Sequence, residues 1–314
     1  MTRVLLLLFQ WFLLIVLAPS ISWFIKKMKA ASQNRQGPTL IQVYSDLVKL
    51  FQKEMVISET ASWIFHMMPF ILFMAAVIAA GLTPVLWGDS LLGFTGDIIL
   101  FVYLLALGRF FLALAALDTA TTFGGMGSSR EMSLSSLAEP VLLLSFFTLS
   151  FQSHAFSLGG IVTYFANQSP MQVLFFTSLT FGAIFIITIA ETARIPVDNP
   201  ATHLELTMIH EAMILEYSGK YLALIEWGHQ IKQLIFFSIL VNIFFPWGAL
   251  ERITTDALGW LILVYIAKIF FLAFVVGWSE IHCAKLRLFR VPDLFAIAFA
   301  LAVLALLSQL MFGR

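Results

Sequence analysis

Six acids, three histidines and two lysines crowd the stretch from Glu191 to Lys232, ETARIPVDNPATHLELTMIHEAMILEYSGKYLALIEWGHQIK, between two long apolar runs. The acids are Glu191, Asp198, Glu205, Glu211, Glu216 and Glu226, and the histidines are His203, His210 and His229. Clustered carboxylates raise one another's proton affinity, and imidazoles change charge near neutral pH. Such a set at membrane depth has the chemistry of a proton relay, facing either a water-filled cavity or another subunit, because a carboxylate facing lipid is costly. A solvated loop carrying ordinary surface acids is the competing reading.

Other chemistry lacks its residues. His210-Glu211 begins HExxH, but position 214 is Ile, so the zinc pattern fails. His203 and His210 lie two helical turns apart, too far for one metal without further ligands, and read as two surface histidines. There is no GxSxG, and the single cysteine, Cys283, sits in a basic loop. One thiolate holds neither an iron–sulfur cluster nor a structural zinc, so any redox centre belongs to another polypeptide. The glycine-rich GGMG at 124–127 lacks the GxxxxGK[ST] of a phosphate loop. No catalytic residue and no metal ligand is therefore assigned.

The elements that hold these groups must be membrane helices. The 314 residues are 60% hydrophobic and 11% charged, with a mean hydropathy of +0.94, and the net charge of zero gives no footprint for nucleic acid. At roughly 20 apolar residues per crossing, eight spans are expected: about 4–25, 64–86, 97–118, 134–152, 171–190, 230–248, 257–279 and 294–312. The first is too long for the apolar core of a signal peptide and lacks a small-residue cleavage site. The fold class is all-α, a polytopic membrane protein forming one integral membrane domain over 1–314.

Twelve of the 18 basic residues fall in the loops after spans one, three, five and seven, and only Arg3, Arg252 and Arg314 on the opposite side. The bias places both termini outside and the polar tract in the cytoplasm. Leu40, Tyr44, Leu47 and Phe51 recur at helical spacing, with Asp46, Lys49 and Lys53 turned away, as in an amphipathic helix lying at the membrane interface. Asn199-Pro200 reads as a helix start, with Glu205 and Glu216 on one face and Glu211 elsewhere. Glycines 124, 125 and 127 suggest a close-passing loop, in which Arg130 and Glu131 can pair. Glu139 precedes Pro140 at a span start. Lys268, near the middle of the seventh span, either snorkels or marks a polar path.

Three ordered segments carry a resemblance. Arg35-Gln36-Gly37-Pro38 with Gln42, Asp46, Lys49-Leu50 and Lys53-Glu54 is the first, Gly124 to Glu131 with Glu139 the second, and Glu191, Arg194, Pro196, Asp198, Glu205-Leu206 and Glu216-Tyr217 the third. Together they resemble the membrane subunit shared by respiratory complex I, where it forms the quinone chamber, and by group 4 nickel–iron hydrogenases. Ile195-Pro196-Val197-Asp198 and Pro200-Ala201-Thr202-His203 depart from the complex I pattern and look closer to the formate hydrogenlyase type. That type is not expected to need a quinone; quinone binding stays open as the complex I alternative, and the chain alone is expected to bind no cofactor.

The resemblance implies an acidic corridor through Asp118, Glu139, Glu191, Glu205, Glu211, Glu216 and Glu226, to which Asp198, Lys232 and Lys268 are added as path residues. It implies a partner interface at Arg35, Lys49, Lys53, Arg130, Arg194 and Lys220. The partners implied are hydrophilic nickel–iron hydrogenase large and small subunits, iron–sulfur subunits and antiporter-like membrane subunits, in a prokaryotic inner membrane. A lone secondary transporter and a pure anchor are the other readings, and the moving ion, proton or sodium, is open.

Overall fold

Inside a bilayer a chain must satisfy its own backbone hydrogen bonds, and long apolar runs do so as helices. The computed structural model describes residues 2–58, 61–199, 208–246 and 258–312, and among these there is no β-strand. The helices are α1 (Thr2–Ser32), α2 (Leu40–Gln52), α3 (Trp63–Leu82), α4 (Asp97–Asp118), α5 (Thr122–Ser153) and α6 (Leu158–Ala166), followed by α7 (Pro170–Glu191), α8 (His210–Ile214), α9 (Gly219–Phe244), α10 (Leu258–His282) and α11 (Val291–Phe312).

Each of the eight expected spans falls on one of the long helices, but length and apolarity qualify six stretches to cross a membrane: Val4–Ser32, Trp63–Leu82, Asp97–Asp118, Thr122–Ser153, Leu258–His282 and Leu288–Met311. In α7 the apolar run Thr177–Glu191 is shorter. In α9 the stretch 226–233 carries Glu226, His229, Gln230, Lys232 and Gln233, and the continuous apolar run follows it.

That run is the axis of the molecule. Residues 233–244 are all buried, as expected of a helix without a solvent or lipid face, and α9 touches α1, α2, α3, α6, α7 and α10. Because α9 is central, the polar residues of that stretch are held inside the bundle rather than on its surface.

At one end of the bundle, Ser62 N donates to Asp118 Oδ2 at 2.7 Å, Lys29 meets Glu280 at 2.8 Å and Leu286 N donates to Pro196 O at 2.9 Å. At the other end, Gln10 Nε2 donates to Asp89 O at 2.7 Å and Asn242 Nδ2 to Pro84 O and Val85 O, both at 2.9 Å. Leu158 N there donates to Asp97 Oδ1 at 2.8 Å.

The amphipathic segment forms α2, with Val43 and Leu47 buried. Tyr44 OH donates to Val16 O at 2.8 Å, and Phe51 packs edge-on against Trp227. Leu40, expected on the same stripe, is exposed.

The expected glycine loop is instead the first turns of α5. Glycine serves a close approach there: a Cβ at Gly124 would lie 2.3 Å from Ala116 O, and one at Gly127 3.0 Å from Ile209 O. At Gly219 the backbone is left-handed (φ +54°) and a Cβ would lie 2.8 Å from Glu54 O, so the start of α9 abuts the residues after α2.

Pro200 to Thr207, and with them the expected helix start, Glu205 and His203, lie outside the described residues; so do Arg252 and Arg314. The next helix, α8, ends at Ile214, so Glu216 falls beyond it rather than on a continuous face.

Candidate functional site

One carboxylate joins four helices. Glu191, at the end of α7, accepts from Arg109 of α4 through Oε1 and meets Lys232 of α9 at 2.7 Å through Oε2, while Arg109 also donates to Glu139 of α5 at 3.0 Å. The Glu191 and Arg109 side chains are 2% and 8% exposed, so these charges act on one another without much water to screen them. A second network lies alongside. Glu280 of α10 meets Lys29 at 2.8 Å and Arg194 at 3.4 Å, and Arg194 donates to Gln233 at 2.8 Å. In a third, Asp198 accepts from Lys285 at 2.6 Å through Oδ1 and from the backbone N of His210 at 3.0 Å through Oδ2.

Above these networks opens a vestibule of about 540 Å³. Its walls combine apolar surface with many charged and polar side chains: Lys26, Lys29 and Arg35 from the α1 end, Arg194 after α7, Glu211 on α8, and Glu226, His229, Gln230, Lys232 and Gln233 on α9. Two small cavities lie further in. One of about 20 Å³ is bordered by Arg109, Glu131, Glu191, Asp198 and His210, and one of about 30 Å³ by Arg109, Glu131, His210, His229 and Lys232. Each has room for on the order of one or two waters.

His210 and His229 face one another where these spaces meet. His210 Nε2 lies 3.1 Å from Nδ1 and 3.0 Å from Nε2 of His229, with ring centroids 4.1 Å apart. Burial, reinforced by the Lys232 charge, lowers the proton affinity of His210, against the opposing pull of Asp198, Glu226 and Glu191. Burial first, then Glu226 and Asp198, pushes the neighbouring Glu211 up to about 7, with Lys26 acting in the other direction. A carboxyl that titrates there exchanges protons with a vestibule at physiological pH. Among the described residues no group of three or more His, Cys, Asp and Glu is arranged to hold a metal ion.

The chain matches the family described as NADH dehydrogenase over residues 4–310. It is 31% identical to formate hydrogenlyase subunit 4 of Escherichia coli (strain K12) over 303 residues, covering 96% of this chain and 97% of that protein. It is 32% identical to hydrogenase-4 component C of the same organism over 296 residues, covering 93% and 91%. The chain belongs to the NADH dehydrogenase family. Its fold recurs, at 18% identity and a TM-score of 0.77 over 96% of this chain and 98% of the other, in a structure of the membrane-bound sulfane sulfur reductase (MBS), an archaeal respiratory membrane complex. The two relatives are named as a formate hydrogenlyase subunit and a hydrogenase component, in line with the three-segment resemblance.

Within this family fold, Glu191, Asp198, Glu211, Glu226 and Lys232 line the vestibule or the inner cavities, and Glu139 joins them through Arg109. Asp118 stands apart, accepting from Ser62 N, and Glu216 is half-buried beyond α8. Lys268 donates to Phe245 O at 2.7 Å. That carbonyl is 13 residues along α9 from Lys232, about 20 Å at the helical rise. Of the residues expected to meet partners, Lys53 and Lys220 are exposed, Arg35 is exposed at the vestibule rim, and Lys49 stands 3.9 Å from Asp46. Arg130 donates to Met208 O at 2.7 Å, and Arg194 is buried against Glu280.

Several participants were not assigned from the sequence, among them Arg109, which holds Glu191 and Glu139, and Lys285, which holds Asp198. His210 is packed against His229 rather than on the surface, and Glu131 borders both inner cavities with Arg109. Lys29 and Glu280 complete the second network. Glu280 had a signal, an acid at the end of an apolar span in Trp278-Ser279-Glu280, a position that calls for a buried cation.

Proposed function

We propose that this chain is the membrane-anchoring and coupling subunit of a group 4 nickel–iron hydrogenase complex of the formate hydrogenlyase kind. In this reading it carries no redox centre. It seats the hydrophilic hydrogenase and iron–sulfur subunits over the vestibule and passes charge changes to antiporter-like subunits in the membrane. The observation that carries the reading is the Arg109–Glu191–Lys232 network beneath the 540 Å³ vestibule. Buried ions inside a membrane bundle cost several kcal/mol of desolvation and mark ion pathways. The relatives' names supply the hydrogenase. The vestibule end carries Lys26, Lys27, Lys29, Lys285, Arg287 and Arg290, which favours a cytoplasmic orientation with both termini outside a prokaryotic inner membrane.

Quinone binding is the second reading, favoured by the vestibule's volume, which is in the range of small-molecule sites. Charged groups set into the same walls, among them Lys26, Lys29, Arg194, Glu226 and Lys232, also provide for water and ions.

The test is to purify the complex through a tag on this chain and reconstitute it in liposomes. A nickel–iron large subunit should co-purify, hydrogen formation should change the lumenal pH, and Glu191→Gln should cut the ions moved per hydrogen. A chain that purifies alone, a wild-type complex that moves no ions, or unchanged stoichiometry in Glu191→Gln overturns the reading.

A further inference from the structure

The vestibule and the two inner cavities share one side chain. His210 borders all three, and His229 borders the vestibule and the 30 Å³ cavity. The other residues at the crossing are held elsewhere: both oxygens of Glu191 are committed to Arg109 and Lys232, and Arg109 also holds Glu139. The histidine rings hold only each other, nitrogen to nitrogen at 3.0 to 3.1 Å, among the contacts their side chains make in the described residues. That is hydrogen-bond distance between two groups that can each donate or accept.

We propose that the His210–His229 pair is the gate through which protons pass between the vestibule and the buried carboxylates around Arg109. The inference rests on the coupling role proposed above and names the step at which a proton enters. A proton from vestibule water or from the Glu211 carboxyl binds the unprotonated ring nitrogen of His229, forming an N–H bond; both His229 nitrogens lie within 3.1 Å of His210 Nε2. The proton shared between the rings then moves to His210 Nε2, breaking one N–H bond and making another. His210 gives up the proton on Nδ1 to water in the inner cavities and so to Glu131, which borders both. One proton enters and one leaves, with no electron transferred.

The surroundings suit a gate rather than an open channel. Lys232 on α9 and Arg109 on α4 oppose a lasting positive charge on the rings, while Glu191 and Asp198 after α7, Glu226 on α9 and Glu131 on α5 lower the cost of a transient one. The two rings, packed nitrogen to nitrogen, bar the junction to hydrated ions. A sodium ion finds only two imidazoles there, whereas a proton needs only their nitrogens, so the gate selects protons.

The experiment uses the assembled complex in liposomes, scoring protons moved per hydrogen formed, a ratio independent of how much complex assembles. His229→Gln and His210→Gln should each lower that ratio about 10-fold or more, in the range of a lost proton-transfer group. Hydrogen formation from an artificial donor should stay at the wild-type rate. In His229→Ala, exogenous imidazole should restore the ratio through the vestibule, and triazole, a much weaker base, should restore less. Wild-type ratios in both Gln variants overturn the gate, as does a loss in His229→Ala that no imidazole repairs, which marks the pair as packing. Failure of the coupling role itself is read separately, in a wild-type complex that moves no ions.

Discussion

The two ends of the bundle solve the same problem with different chemistry. The vestibule end joins α1, α4, α5, α7, α9 and α10 through full charges: Arg109, Lys232 and Glu191 in one network, Lys29, Arg194 and Glu280 in another. The opposite end is tied by side chains reaching backbone groups: Asn242 to Pro84 and Val85, Gln10 to Asp89, Asp97 to Leu158, Lys268 to Phe245. Hydrogen bonds from side chain to backbone suffice to fix helix ends. Buried ions add cost without comparable stability. Their concentration at one end, around cavities, therefore reflects what that end does rather than what holds it together.

Glu280→Ala should break the contrast most visibly, because it leaves the buried Arg194 and the half-buried Lys29 without their acid, at a cost of about 3 kcal/mol. Denaturation of the purified complex reads this as a large fall in stability. Replacing all three residues by methionine should recover most of the loss, since a well-packed apolar triad is often as stable as an ionic one. If the triple variant is as unstable as Glu280→Ala, the network is structural and the two ends are alike.

At the far end, Asn242→Ala should cost less, about 1–3 kcal/mol, by unpairing two buried carbonyls. It should leave proton movement per hydrogen unchanged, which separates the ends by function as well as by stability.

Glu211 sharpens the comparison through pH. Its carboxyl, with a folded value of about 7 against an ordinary 4.5, binds its proton more tightly folded than unfolded. Its contribution to stability therefore declines as pH rises from the ordinary carboxylate range to about 7, the unfolded state binding fewer protons there. An infrared carbonyl band lost with a midpoint near 7 and missing in Glu211→Gln would identify it, and Glu226→Gln should move that midpoint down.

The smallest effect belongs to Lys49→Ala, which removes an exposed pair at 3.9 Å and should change stability by less than ~0.5 kcal/mol.

Much of the fold was legible in the sequence because a bilayer leaves few options. The apolar runs map one to one onto long helices, and the period of Tyr44, Leu47 and Phe51 marks the inward side of α2. The glycine run at 124–127 misled because glycine signals close approach as well as turning, and in α5 it serves the former. At the site, Glu191 and Lys232 stand out as charges among apolar residues. Which acid meets which base could not be read, since Glu191 and Arg109 are 82 residues apart and Lys29 and Glu280 further still. His210 looked superficial because its surroundings come from α4, α5 and α9, packed onto a helix of only five residues.

Asp198 deserves a mechanical reading. One of its oxygens is fastened to Lys285, in the segment that joins α10 to α11, and the other to the backbone of His210. The segment around Lys285 also carries Arg287, Phe289 and Arg290, all exposed. A body that grips those side chains and tugs the segment pulls, through one short tether, on the ring that faces His229.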